Sequence, residues 1–358
     1  MTKLIINNAS KSYGDNQVLK DVSFEIHDNE KICILGASGS GKSTLLKIIA
    51  GLLESDTGEM KLDGKVIPLY NDSVPPEERP MNMVFQNYAL WPHMTVYDNI
   101  TFGLKIQKLS KREIESRVER FVQMLQISHL LGRMPAELSG GQQQRVGIAR
   151  AMASLPSILL MDEPLSNLDV KLRNDLRSEL SSILKDLNTS TLYVTHDVLE
   201  AFALADRILV LHKGEIVQLD TPEKVYEEPS TIDVANLMGY QKAFFGEVED
   251  VKNGVATINV DGATIMAQTH ETIEPNVNVD VLIQQDSLVI NRTQEDQSGY
   301  NNLSCKVAQR IYEGSRWKYR LQVSERQYIE SYSKDHFEEH TEVVVSFEVD
   351  KTKVFERK

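Results

Sequence analysis

Cysteine is nearly absent from this chain of 358 residues: Cys33 and Cys305 are its two, with no CxxC pair and no Cys/His cluster. That excludes a disulfide framework and a cysteine-ligated metal site, and it fits a reducing cytoplasm. Cys33 lies in the apolar run Ile32-Cys33-Ile34-Leu35 and reads as a reduced core thiol. Long hydrophobic runs are missing too. No stretch approaches the roughly 18 apolar residues of a membrane-spanning helix. Met1 to Ala9 lacks the basic start and apolar stretch of a leader, so none is expected. A chain of this kind serves a membrane only by docking onto other subunits. Basic excess is absent as well. The formal net charge is −13 and the pI about 5.2, which argues against a dedicated nucleic-acid binder. No low-complexity tract occurs. With 41% hydrophobic and 25% charged residues, the composition is that of an ordinary globular protein, and the length predicts two domains.

What is present, up to residue 239, is an alternation of strand and helix signals. Leu4-Ile5-Ile6 and Val22 to Ile26 read as strands, with Asp15-Asn16 as a turn between them. Lys31 to Leu35 is an apolar strand, then come glycines, then a helix over Ser43 to Leu52 with Leu45, Leu46, Ile49 and Ala50 facing inward. Ser110 and Glu113 form a capping-box pattern that opens a helix over 110–130. Ile158 to Met161 precedes a helix over 170–187, and Thr191 to Thr195 precedes one over 197–205. Lys213-Gly214 marks a hairpin between Ile208–Leu211 and Ile216–Leu219. The order strand, glycine loop, helix is that of an α/β nucleotide-binding core. Beyond Gly239 short β-rich runs follow one another, at 243–249, 255–260, 263–268, 279–283, 287–290, 303–311, 317–323 and 342–348. Asn253-Gly254 and Asp261-Gly262 are hairpin turns, 293–301 is a polar loop, and the spacing predicts a small barrel or sandwich.

Three segments carry chemistry. Gly36-Ala37-Ser38-Gly39-Ser40-Gly41-Lys42-Ser43 fits GxxxxGK[ST] and sits between the expected strand and helix. Glycines let backbone N–H groups turn inward around phosphates, and the helix start adds partial positive charge. Lys42 would then reach the β- and γ-phosphates, and the Ser43 hydroxyl would ligate Mg²⁺. The strand ending at Met161 delivers Asp162 and Glu163. On its own a strand ending in Asp-Glu is an ordinary solvated end; after a phosphate loop it reads as a Mg²⁺ carboxylate, Asp162, and a general base, Glu163. Ser139-Gly140-Gly141-Gln142 precedes a helix expected to begin near Gln143, giving a second anion-grade helix start in one chain.

The string Leu138-Ser139-Gly140-Gly141-Gln142, continued by Gln143-Gln144-Arg145, resembles the signature of ABC ATPases, and the resemblance runs over residues 1–239. It implies an α/β P-loop NTPase with a helical subdomain at about 87–155, followed by an all-β OB-like (TOBE) domain over 240–358. It implies ATP and Mg²⁺ as ligands, with Gly36 through Thr44 as the phosphate cradle and Tyr13 as the aromatic stacked on adenine. Gln86, after Met83-Val84-Phe85, matches the glutamine near Mg²⁺ and water. Asp169, in Ser166-Asn167-Leu168-Asp169, falls at a dimer seam. His196, after Tyr193-Val194-Thr195, matches the switch histidine at the γ-phosphate. In this family two copies pack head to tail, each ATP lying between residues 36–44 of one and Ser139 to Gln142 of the other.

The exit from the first domain narrows the resemblance. Thr221-Pro222, Val225-Tyr226, Pro229 and Met238-Gly239 look like those of maltose, ferric-iron, polyamine and phosphonate importer ATPases. This implies a homodimer beneath two membrane-spanning permease subunits, served indirectly by a solute-binding protein, at the cytoplasmic face of the membrane. Where many members show Arg-Pro-Glu, this chain has Gln284-Gln285-Asp286, so the family's regulatory contacts do not transfer. A non-transport ABC ATPase acting on nucleic acid or ribosomes is the rival. One P-loop, no heptad insertion, and 14 Lys and Arg against 20 Asp and Glu over 241–358, a net of −6, disfavour it. Glu163 and His196 disfavour a nucleotide binder without turnover. Leu90 and Trp91, just after Gln86, read either as core of the helical subdomain or as the groove that receives a permease helix.

Overall fold

The computed structural model describes residues 2–71, 74–166, 170–187, 189–269, 273–293 and 298–357. Two compact units divide the chain, Met1–Pro222 and Glu223–Lys358.

Two sheets build the first unit. The larger has six strands in the order Glu215–Asp220, Arg207–His212, Lys31–Leu35, Ser190–Thr195, Ile158–Asp162 and Met81–Val84. Its pairings are parallel except for the hairpin of the first two, the one predicted around Lys213-Gly214. Strands covered on both faces read as continuous apolar runs, and every residue of Ile158–Asp162 is buried. The smaller sheet is antiparallel: Asn16–His27, Thr2–Tyr13, Thr57–Leu62 and Lys65–Pro68. One apolar core, from Leu4 to Leu211, is shared by both sheets and the helix Lys42–Ala50.

That helix ends where Gly51 turns left-handed at φ 79°. A Cβ there would lie 2.6 Å from Arg79 Nε. Arg79 uses the space: its Nη1 donates to Ile48 O at 2.8 Å and Ile49 O at 2.6 Å, a cation on the terminal carbonyls. Three helices, Val96–Ile106, Lys111–Met124 and Gly140–Ala153, fall within the span expected as a helical subdomain. The predicted capping box is present, with Ser110 Oγ accepting from Glu113 N and the Glu113 carboxylate accepting from Ser110 N. The helix is shorter than expected because Gln126 turns left-handed (φ 56°), and a separate turn, Ser128–Leu130, follows.

In the second unit the helices Pro222–Glu227 and Ile232–Leu237 precede a closed five-strand barrel of Tyr240–Lys252, Val255–Val260, Ala263–Gln268, Thr352–Glu356 and Asn278–Gln284. A five-stranded antiparallel sheet is inserted before the closing strand: Val289–Asn291, Glu342–Glu348, Tyr300–Tyr312, Trp317–Gln322 and Tyr328–Ser333. Barrel and sheet share one core, from Phe244 to Val354. Two buried amides join them by imitating a β-ladder. Asn301 accepts from Met266 N and donates to Met266 O, and Gln327 does the same with Phe245 N and O. The expected all-β domain is therefore present, with strands at 328–333 and 352–356 beyond those predicted. The two short helices cluster with this unit, so the contact boundary falls at Pro222, ahead of the residue 239 read from the sequence.

Candidate functional site

Lys31–Leu35 ends at the C-terminal edge of the parallel sheet, and residues 36–41 loop from there to the helix Lys42–Ala50. The loop tolerates little beyond glycine at its hinge. A Cβ on Gly36 would lie 2.2 Å from Leu211 O, and Gly39 and Gly41 are left-handed at φ 81° and 104°. Gly41 brings no side-chain acceptor to the helix start, so the first N–H groups stay available to an anion. Lys42 is buried, and its Nζ donates to Gly36 O at 2.8 Å and Ala37 O at 3.0 Å, inside the loop. Burial lowers its pKa, while Glu163 and Asp162 act in the opposite direction.

Ser43 Oγ donates to Asp162 Oδ1 at 2.8 Å. Asp162 is 9% exposed. Burial raises its pKa, and the Ser43 bond opposes that shift. A hydroxyl and a buried carboxylate meeting in this way form half of a hard-cation site, all oxygen. Among the described residues no cluster of three or more His, Cys, Asp or Glu forms a self-sufficient metal site. The Ser43 hydroxyl and the Asp162 carboxylate, both oxygen donors, fit a Mg²⁺ that completes its shell from phosphate and water, the usual habit of that ion.

Glu163 is held in the left-handed region at φ 43°, with its N–H donating to Val194 O at 3.0 Å. Strain in a non-glycine residue at such a place is a functional signal. Its Oε2 lies 3.2 Å from His196 Nδ1. Its carbonyl accepts from Ser166 Oγ at 2.9 Å, and Ser166 Oγ accepts from Gln86 Nε2 at 3.1 Å. Gln86, Glu163, Ser166 and His196 therefore form one chain of contacts beside the Ser43–Asp162 pair.

Comparisons with known proteins give the family. The family described as ABC transporter matches residues 19–166. The spermidine/putrescine import ATP-binding protein PotA of Thermotoga maritima is 39% identical over 322 residues, 89% of this chain and 86% of the relative. PotA of Haemophilus influenzae (strain Rd) is 39% identical over 310 residues, 86% of this chain and 82% of the relative. This chain belongs to the ATP-binding subunits of ABC importers. A solved ATP-binding cassette of an ABC transporter, in its ADP conformation, superposes with TM-score 0.56 at 25% identity, over 65% of this chain and 98% of that one. The subunit binds and hydrolyses ATP and powers solute import through an ABC transporter. No helix among the described residues is long and apolar enough to cross a membrane.

Other expected site residues of this ABC subunit stand apart from that chain of contacts. The signature helix begins at Gly140, three residues before the expected start. A capping box overrides the poor helix propensity of two glycines: Ser139 Oγ accepts from Gln142 N at 3.4 Å, and Gln142 Oε1 accepts from Ser139 N at 3.0 Å. Gly140 and Gly141 thus form the first helical turn, with Ser139 and Gly140 exposed. Tyr13 ends its strand 53% exposed, with Lys11 Nζ 5.8 Å from its ring centroid. Asp169 lies outside the described residues. Trp91 is half-buried, its ring 4.5 Å from that of Phe102 and 4.8 Å from the Arg150 guanidinium.

Sequence reasoning missed three residues of this neighbourhood. Arg173 donates from Nη2 to Ser166 O at 3.1 Å and lies 4.0 Å from Asp197, next to His196. Glu200 accepts hydroxyls from Tyr193 and Thr195 beneath the histidine. The alternation of Tyr193 and Thr195 on one strand face was the available signal: two buried hydroxyls need an acceptor. Arg150 holds the segment after Gln86, and no spacing pattern announces it.

Proposed function

We propose that two copies of this subunit bind MgATP head to tail and that the cargo they power is a polyamine. The observation that carries the hydrolytic reading is the strained Glu163, fixed between His196 and the Ser166–Gln86 pair, one residue after the carboxylate that meets Ser43. Lys42 exchanges the Gly36 and Ala37 carbonyls for β- and γ-phosphate oxygens. The N–H groups of Gly36 through Thr44 cradle the rest, with Ala37, Ser38, Gly39, Ser40 and Gly41 lining the turn. Ser43, Asp162 and Gln86 would hold Mg²⁺, which would supply positive charge against the phosphates. Glu163 takes the proton of the attacking water. His196 keeps the Glu163 carboxylate in place through Nδ1 and offers its other ring nitrogen to the γ-phosphate side.

The exposed, capped start of the signature helix supports the dimer, since a helix N-terminus open to solvent suits the γ-phosphate of the opposite copy. Ser139, Gly140, Gly141 and Gln142 supply it, Asp169 lies at the seam, and Tyr13 stacks on adenine. Two permease subunits and, through them, a solute-binding protein complete the transporter at the cytoplasmic face of the membrane, with Leu90 and Trp91 near the permease contact. The names of the similar relatives support polyamine over sugar or ferric iron. The acidic balance of residues 241–358 supports a role without nucleic acid.

Glu163→Gln tests the centre of this reading. It removes the base and leaves the phosphate loop intact. The expected result is an ATP-dependent dimer on size exclusion with turnover reduced by about 10²–10⁴-fold. Turnover at the level of the unaltered protein rules out Glu163 as the base.

A further inference from the structure

Tyr88 and Ala89 are consecutive non-glycine residues in the left-handed region, at φ 58° and 44°. Side chains at such φ clash with their own backbone, so a pair persists only when its surroundings hold it. The turn bonds from Tyr88 N to Phe85 O and from Ala89 N to Asn87 O do part of this, and one side chain adds to it. Arg150, in the third turn of the helix Gly140–Ala153, donates from Nη2 to Tyr88 O at 2.7 Å and from Nη1 to Ala89 O at 2.7 Å. The same guanidinium lies against the ring of Trp91, 4.8 Å from its centroid. One helical turn earlier, Gly147 faces the same segment: a Cβ there would stand 3.5 Å from Tyr88 Cβ, in ordinary van der Waals contact. The segment that begins at Gln86 is therefore pressed onto the Gly147–Arg150 face of the helix and fastened there by a two-pronged cation.

We propose that Arg150 is a positioning residue that fastens the Gln86-bearing segment to the signature helix, so that the two move as one body. The inference rests on reading Gln86 as a site residue. Gln86 lies two residues before Tyr88 and reaches Ser166, which touches the Glu163 carbonyl. The same helix carries Ser139 and Gly140 at its other end. A displacement of Gln86 by the nucleotide is thereby delivered to the signature residues through one fork of hydrogen bonds. Arginine is required because two carbonyls must be held at once; a lysine ammonium is a single point and lacks the planar fork.

Arg150→Lys in the full-length chain tests this. Amide exchange of residues 86–91 should speed up about tenfold, and kcat should fall about tenfold, equivalent to about 1.4 kcal/mol. Nucleotide affinity should stay within about twofold, since Arg150 does not touch the phosphate loop. Adding Ala89→Gly to Arg150→Lys should recover about threefold in kcat, because glycine accepts the left-handed conformation without help. A merely structural loss in the helix would not respond to that second change. Unchanged exchange at 86–91 in Arg150→Lys overturns the proposal, as does a lowered kcat that Ala89→Gly leaves untouched. Gln86→Ala, measured alongside, separates the two ideas. If it turns over like the unaltered protein, the reading of Gln86 fails, while the exchange data still decide whether Arg150 holds the segment.

Discussion

Glu200 is 2% exposed, and the two hydroxyls that reach it, Tyr193 Oη at 2.8 Å and Thr195 Oγ1 at 2.7 Å, meet the same oxygen, Oε2. Thr195 Oγ1 also accepts from Asp197 N at 3.0 Å, so His196 stands between two residues tied to this carboxylate. Burial raises the pKa of Glu200, and the two hydroxyl bonds only partly oppose it. An acid with a raised folded pKa binds more protons folded than unfolded. Its ionisation therefore costs stability increasingly as pH rises from the unfolded value through the folded one. Glu200→Gln removes that cost and still offers one carbonyl oxygen to both hydroxyls. Its melting temperature at pH 8 should equal or exceed that of the unaltered protein. Glu200→Ala leaves two buried hydroxyls without their acceptor and should lose about 2–4 kcal/mol. A Gln variant that melts as low as the Ala variant sinks this account.

Between elements, the opposite sign holds at Glu30. This residue closes the turn after Asn16–His27, where its Oε2 accepts from His27 N at 2.6 Å. Arg207, which opens the strand Arg207–His212, donates Nε to Glu30 Oε1 at 2.5 Å and Nη2 to Glu25 O at 2.9 Å, pinning the antiparallel sheet to the parallel one. Burial alone would raise the Glu30 pKa, but Arg207 and the His27 amide outweigh it, and the net shift is downward. A depressed acid contributes stability above its unfolded pKa and loses it as pH falls through the folded one. Glu30→Gln should cost about 2 kcal/mol at pH 7, and the gap to the unaltered protein should close in denaturant melts as the pH falls below the ordinary glutamate range. A gap that persists in acid would place the loss in packing instead. Other elements show what was legible in the sequence. The helix Lys111–Met124 announced itself because its capping box is local. Two strands did not. In Thr352–Glu356 the buried positions include Lys353, whose ammonium donates to Gln268 Oε1 and Asp350 O, so a barrel-closing strand buries a charge at its second residue. In Tyr328–Ser333 the inward alternation passes through Ser331, which donates to Leu288 O and breaks the hydrophobic pattern. The phosphate loop was legible because glycine, lysine and serine are dictated by spacing. Arg150 and Arg173 were not, because each acts on backbone carbonyls that no side-chain pattern records.

At the scale of the whole molecule, the two units keep separate apolar cores. One runs from Leu4 to Leu211, with Ile216 and Leu219 packed against it; the other runs from Phe244 to Val354. Every candidate nucleotide residue, from Tyr13 to His196, precedes the boundary at Pro222. The family match over residues 19–166 falls in the same unit. A domain with its own core and its own site should fold and bind alone. A chain ended after Pro222 should therefore unfold in one cooperative transition and bind ATP within about threefold of the full-length protein. A chain ended after Gly239 keeps two short helices whose Val225 and Val234 are buried, but it lacks the strand Tyr240–Lys252 that follows them in the second unit. That longer piece should bind ATP equally well, yet expose more apolar surface to a dye such as ANS, because those helices have lost the body they cluster with. The decisive measurements are a thermal melt, an ATP titration and ANS emission on both pieces. If the chain ended at Pro222 fails to fold while the one ended at Gly239 folds and binds, the two helices belong to the ATPase body, and the division at Pro222 is wrong.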